Sequence, residues 1–238
     1  GRFAGSVPAV EVINVPFLFT DEKALRANVA SGSAMRQALD AAMLEETGAR
    51  VLWWQAFGRN IYLNNGTPIR TPADFKGKKV RTYGKILGWT VEALGGAPTL
   101  MSGSKQFLAY QQGAVDVGMT GASSVKTRKL YEVMKNMTLS FDSAIEFVAI
   151  MNGKFFDSLS KKHQDIIVRA ARTVEQQLRN HIYTQEREDV KLLRTKMNVI
   201  DLTDAEREQW RSATKGVGDK FAKERGPLAA KIIEMVRK

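Results

Sequence analysis

The chain has 238 residues and a net charge of +11, with 44% apolar and 26% charged residues, the composition of a globular protein with room for one large domain or two small ones. Zero cysteines exclude disulfides, thiolate metal sites and cysteine nucleophiles together. The longest apolar runs, such as residues 51–54 and 147–151, fall far short of the roughly 20 residues that cross a bilayer. The first residues lack the basic head and apolar stretch of a signal peptide, so any export signal is expected to have been removed or to lie upstream. The basic residues are dispersed: between 160 and 196, nine Lys or Arg are interleaved with Asp165, Glu175, Glu186, Glu188 and Asp189. A mixed face of this kind reads as solvated surface, and with no reading motif beside it nucleic acid is not an expected partner.

After Pro16-Phe17-Leu18-Phe19, the pattern predicts helix over residues 20–48, broken near Ser31-Gly32-Ser33 and stopped by Gly48. A buried strand over 51–54 follows, then a second over 61–63 that runs into the turn cluster Asn64-Asn65-Gly66-Thr67-Pro68. Three strand and helix units come next: 79–82 with 86–94, 98–101 with 105–112, and 115–119 with 123–134. Such alternation argues for an α/β protein with a largely parallel sheet. A strand over 145–151 leads through Asn152-Gly153 to a helical pattern over 160–196, about 55 Å long if unbroken at 1.5 Å per residue. Its apolar positions Ile166, Ala170, Val174, Leu178 and Ile182 give way to a polar stretch over 184–189 and resume at Val190. One helix bridging two bodies, or two helices meeting near Glu186, satisfies that pattern. Past a strand over 198–202, Thr203-Asp204-Ala205-Glu206 is a capping box that opens the terminal helices.

Little in the chain is suited to chemistry. His163 and His181 share a helix face, but roughly 27 Å of rise separates them, so they cannot share a metal. Leu94-Gly95-Gly96-Ala97 closes a helix rather than opening one, which leaves Gly95 as a cap and no phosphate-binding loop. No nucleophile with a base is marked by spacing, and no metal or cofactor is expected. What remains suits the holding of a solute: Arg59 beside Phe57, Arg81 beside Tyr83, and Trp53, Trp54 and Trp89. An arginine at a strand end can grip a carboxylate through two parallel hydrogen bonds, with aromatics as apolar walls. Taken singly, each arginine reads equally as solvated surface and each tryptophan as core.

The run Pro72-Ala-Asp-Phe-Lys-Gly-Lys-Lys-Val-Arg81 resembles a segment of the solute-binding proteins of tripartite ATP-independent periplasmic (TRAP) transporters, the DctP type, which ends in the arginine that grips the ligand carboxylate. Further matches follow in order: Pro16-Phe17-Leu18-Phe19, Gly96-Ala97-Pro98 with Met101, Leu108-Ala-Tyr-Gln-Gln-Gly-Ala-Val-Asp116, Lys129-Leu-Tyr-Glu-Val133, and Ser160 followed by Gln164 and Ala170-Ala171. The resemblance implies two α/β lobes joined by crossing strands and spanned by one long helix, with parallel-type sheets and a cleft between the lobes. It divides the chain into a remnant of a first lobe (1–56), a second lobe with the gripping arginines (57–144), and a crossing strand, spanning helix and C-terminal helices (145–238), most of the first lobe lying outside the chain.

By the same resemblance Arg81 falls on the carboxylate-gripping position and Arg59 on a second basic position of the cleft; Tyr83, Thr120, Trp54, Phe141 and Asp142 complete the candidate ligand-binding set. Gly103-Ser104-Lys105 stands where Phe-x-Glu is usual, Tyr83 where Pro is usual, and residues 117–121 replace Gly-x-x-Asn-Pro. The expected function is capture of a small organic acid in the periplasm and delivery to TRAP permease subunits in the membrane, without catalysis. A non-carboxylate solute such as an amino alcohol, a periplasmic hydrolase or lyase, and a structural interaction module are the alternatives. Arg81 is expected to serve the cleft and not the core.

Overall fold

One long strand organises the molecule. In the computed structural model, which describes residues 3–237, β1 (Ala49–Asn64) is 16 residues long, so the two strands expected over 51–54 and 61–63 are a single strand. Its first part pairs antiparallel with β6 (Ala144–Asn152), from Ala49 opposite Asn152 to Arg59 opposite Ala144. Its last part pairs antiparallel with β4 (Val117–Gly121) and β5 (Asn136–Leu139). Partners therefore change between Arg59 and Asn60, just after an irregularity in register between Ala56 and Gly58. Gly58 has φ +111°, and a Cβ there would lie 2.8 Å from Glu186 Oε1; both the left-handed backbone and the close approach require glycine.

The strand order is β3-β2-β4-β1-β5-β7, with β6 on β1 off that path. β2 (Lys79–Thr82) lies parallel to β3 (Ala97–Leu100) and to β4, and β5 lies parallel to β7 (Asn198–Asp201). The parallel pairing read from the sequence holds for β2 with β3 and with β4, β2 and β3 being joined through the intervening helix α3 (Lys85–Ala93). The sheet as a whole is mixed, because β1 runs against every neighbour. β5, Asn-Met-Thr-Leu, alternates polar and apolar residues but is only four residues long with one β-branched member, too short a signal for the sequence reading to mark a strand there.

Helix ends follow local chemistry. Asp21 and Ser33 accept backbone hydrogen bonds at the starts of α1 (Glu22–Val29) and α2 (Ala34–Thr47), and Gly48 ends α2 at φ 68°. The break near Ser31–Ser33 is thus a stop and a new cap. The helix expected over 123–134 is instead α5 (Ala122–Thr127) and a 3-10 turn (Leu130–Glu132), divided by Lys129 at φ 52°, a backbone state outside any helix.

α7 (Lys161–Leu193) is one unbroken helix of 33 residues capped by Ser160, about 50 Å long. Its buried face is not the apolar stripe read from the sequence. Ile166 is 45% exposed, whereas Glu175, Arg179, Tyr183, Glu186 and Asp189 are buried. Each buried charge on this face meets a partner: Arg36 to Glu175 at 2.6 Å, Arg179 to Glu146 at 2.7 Å, Arg59 to Glu186 at 2.8 Å and Lys126 to Asp189 at 2.7 Å. Paired in this way, charges can be buried that would otherwise have to stay in water.

The apolar core forms three clusters. The first joins the 3-10 helix Pro8–Asn14, α1, α2, Trp54 and Trp89 to α8 (Asp204–Glu224) and α9 (Pro227–Arg237). The second contains Ile61, Leu63 and Met137, the third Tyr62, Phe75, Val117 and Trp210. Alternate residues of β1 thus supply opposite faces of the sheet. Thr203 and Glu206 form the expected capping box at the start of α8. Among the described residues no helix is long and apolar enough to cross a membrane.

Candidate ligand cleft

A cavity of about 590 Å³ lies where the two pairing zones of β1 meet. One side comes from the 3-10 helix (Val10, Ile13, Asn14), β1 (Trp54, Phe57) and β6 (Ile145, Phe147, Val148), and is mostly apolar. The other comes from β2 and the loop after it (Arg81, Tyr83), residues 102–106, Thr120 at the end of β4, and Ser124 and Arg128 on and after α5. An apolar wall faces a polar, cationic one, the arrangement that binds and orients a small solute.

Arg81 is only 3% exposed, and Phe75, Val80 and Val117 around its strand anchor β2 in the core. Its Nε and Nη2 donate to the Met101 carbonyl at 3.1 and 2.9 Å, and Nη1 donates to the Met119 carbonyl. The guanidinium lies 5.1 Å from the Tyr83 ring centroid. No carboxylate pairs with Arg81 among the described residues. Burial lowers its pKa, with Arg128 adding to that as a neighbouring positive charge and the Tyr110 and Tyr83 rings opposing it; a guanidinium nonetheless stays charged at any ordinary pH. Such a buried cation costs several kcal/mol unless a counter-charge arrives.

The acids of the cavity are already engaged. Glu11 accepts from Arg225 Nη2 at 2.8 Å and from the Lys85 backbone at 2.9 Å. Glu146 accepts from Arg179 at 2.7 and 3.2 Å; burial raises its pKa while that arginine lowers it, with a net upward shift.

Of the residues singled out in the sequence, Arg81, Tyr83, Thr120 and Trp54 line this one cavity. Tyr83 donates to Asn60 Oδ1 at 3.3 Å and burial raises its pKa, so it stays a neutral donor. Trp54 is held by its indole N–H on Asp40 at 2.8 Å. Arg59, Phe141 and Asp142 are not among the lining residues. Arg59 donates from its backbone and from Nε to Glu186 at 2.6 and 2.8 Å and stacks 3.6 Å from the Phe141 ring centroid. Its charge is paired with Glu186 on α7. Asp142 is 2% exposed and accepts from Asn60, Tyr62 and Ser140; burial raises its pKa, and its role is to tie β1 to the segment after β5. Trp89 is core, and Trp53 does not line the cavity.

The sequence reading did not single out Gln106, Arg128, Glu146 or Phe147. The signal nearest to Arg128 was indirect, through the unusual Gly103 opposite it: a Cβ at 103 would lie 2.6 Å from Arg128 Nη1. A shallow hollow on α8, lined by Ala205, Glu208, Gln209, Ser212 and Ala213, offers no cation.

A cleft between two pairing zones, crossed by a shared strand and a spanning helix and holding an unpaired buried arginine, defines a two-lobed solute-binding protein. The chain belongs to the DctP family, bacterial extracellular solute-binding protein family 7, whose profile matches residues 1–224. It is 35% identical over 150 residues to the C4-dicarboxylate-binding periplasmic protein DctP of Rhodobacter capsulatus, a match covering 63% of this chain and 44% of that protein. It is 30% identical to the sialic acid-binding periplasmic protein SiaP of Vibrio cholerae, covering 99% of this chain and 72% of that protein. Among solved structures, a TRAP periplasmic solute-binding protein of Shewanella oneidensis with bound succinate superposes with a TM-score of 0.87 at 27% identity, covering 100% of this chain and 77% of that one. The chain thus spans from under half to about three quarters of these relatives, whose family and fold are those of binding proteins rather than enzymes.

Proposed function

We propose that the protein captures a small organic acid in the periplasm and passes it unchanged to TRAP-type permease subunits in the membrane. The observation that carries this reading is Arg81, 3% exposed in the cavity and without an acid partner among the described residues. A ligand carboxylate would supply the missing charge, and Thr120 and Tyr83 would add hydrogen bonds while Trp54, Phe57 and Phe147 exclude water. Support also comes from the relatives: the Rhodobacter protein is named for C4-dicarboxylates, the Vibrio protein for sialic acid, and the Shewanella structure holds succinate. Arg59, Phe141 and Asp142 act behind the cleft in this reading, by holding β1 to α7 and to β5.

Native mass spectrometry of the protein taken from the periplasm, before and after denaturation, tests the proposal. The expected result is a co-purified acid released intact. Release of a chemically altered product would favour an enzyme, and a neutral solute without an acid group would remove Arg81 from its role.

A further inference from the structure

Arg81 has little left to offer a ligand. Of a guanidinium's five N–H bonds, two are directed at the Met101 carbonyl and one at Met119. A fourth reaches Gln106, whose side-chain oxygen lies 3.1 Å from Arg81 Nη1 in the amide orientation that meets donors. The same oxygen lies 3.1 Å from Arg128 Nη1, which also donates to the Gly103 carbonyl at 2.9 Å. The Nε and Nη2 edge of Arg128 has no partner among the described residues, and it is this edge that meets a carboxylate with two parallel bonds.

Gly103 is what admits the guanidinium. A Cβ at 103 would stand 2.6 Å from Arg128 Nη1 and 3.1 Å from Nη2, so any side chain there displaces Arg128. Charge points the same way. The cavity acids Glu11 and Glu146 are taken by Arg225 and Arg179, while Arg81 and Arg128 have no acid partner among the described residues and share one amide oxygen. Arg128 is an exposed residue, and a singly charged ligand that displaced water from it would leave one of these two cations uncompensated.

Resting on the acid-binding reading above, we propose that Arg128 supplies the free guanidinium fork of the cleft, and that the protein consequently prefers an acid with two negative groups to its singly charged analogue. Calorimetric titration of the full chain with dicarboxylates of three to six carbons and with benzene dicarboxylates, each against its monoamide, tests this. In the parent, the best diacid should bind at least about tenfold more tightly than its monoamide. Arg128→Gln should bring that ratio close to one, chiefly by weakening the diacid. Arg128→Lys, which keeps the charge but loses the fork, should recover part of it. Gly103→Ala should act in the same direction as Arg128→Gln, because it moves the guanidinium without removing it.

Equal affinity for diacid and monoamide in the parent, or a ratio unchanged in Arg128→Gln, would overturn the proposal while leaving the acid receptor intact. Binding of no acid by the folded parent would overturn both. Thermal unfolding of each variant without ligand separates a lost contact from a lost fold.

Discussion

In the proposed reading Arg81 would serve the ligand and the fold through the same guanidinium. The carbonyls it holds belong to Met101, after β3, and Met119, in β4, so it braces the polar wall of the cleft as well as charging it. The expectation that it serves the cleft and not the core therefore needs revision. Arg81→Ala should weaken acid binding by a factor of about thirty to several thousand, the equivalent of about 2 to 5 kcal/mol for a desolvated pair left half-made. It should also destabilise the unliganded protein by about 1 to 3 kcal/mol, the loss of donors to the Met101 and Met119 carbonyls outweighing the relief of an unpaired buried charge. Urea unfolding and calorimetric titration, run where both proteins are folded, read the two effects separately. An unliganded stability equal to the parent's would show that the bracing role is absent. Arg81→Lys should restore part of the binding only, because an ammonium cannot reproduce the planar set of donors.

At the scale of elements, α7 shows how a long charged helix becomes structural. Each of its buried charges is met from a different element: Glu175 from α2, Arg179 from β6, Glu186 from β1 and Asp189 from α5. The far end of that ladder gives a pH test. Burial alone would raise the Asp189 pKa, but hydrogen bonds from Lys126, Gln185 and Ser123 outweigh it, and the net shift is downward. A carboxyl whose folded pKa is lowered stabilises the fold above its unfolded value, near 4, and loses that contribution as pH falls through the folded one. Asp189→Asn should therefore cost about 1 to 3 kcal/mol at pH 7. The difference from the parent should narrow below about pH 4, as urea midpoints at the two pH values would show. A difference that stays constant with pH would mean that the contact acts through shape and not through charge.

On the scale of the whole molecule, the cleft lies between elements connected by β1 and α7, and β1 changes partners at Arg59 and Asn60 beside the bulge at Gly58. Such a connection can flex while each side stays packed. A ligand that contacts both walls favours the closed arrangement by its extra affinity for it. Small-angle scattering of the full chain should accordingly give a smaller radius of gyration with saturating ligand than without, and superimposable curves would remove closure from the account.

Much of the fold was legible from local chemistry. The caps at Ser33, Ser160 and Thr203, the stop at Gly48 and the short strand and helix units depend on residues three or four apart, and a linear pattern records such spacing. Arg81 and its place in a cleft were legible through its run of neighbours. What only the tertiary structure decided depends on residues far apart in the chain. The bond between Arg59 and Glu186 spans 127 positions, and it both holds Arg59 to α7 and buries a stretch of α7 that looks solvated in the sequence. That 51–54 and 61–63 form one strand follows from the pairing of β6 along the stretch between them. The entry of Arg128 into the cleft needs an empty volume at Gly103, 25 positions away. For Arg59 with Glu186 and for β1 the deciding term is the desolvation of a charge or of a backbone, and whether that cost is met depends on which partner the fold brings to it; for Arg128, an exposed residue, it is the space left at Gly103.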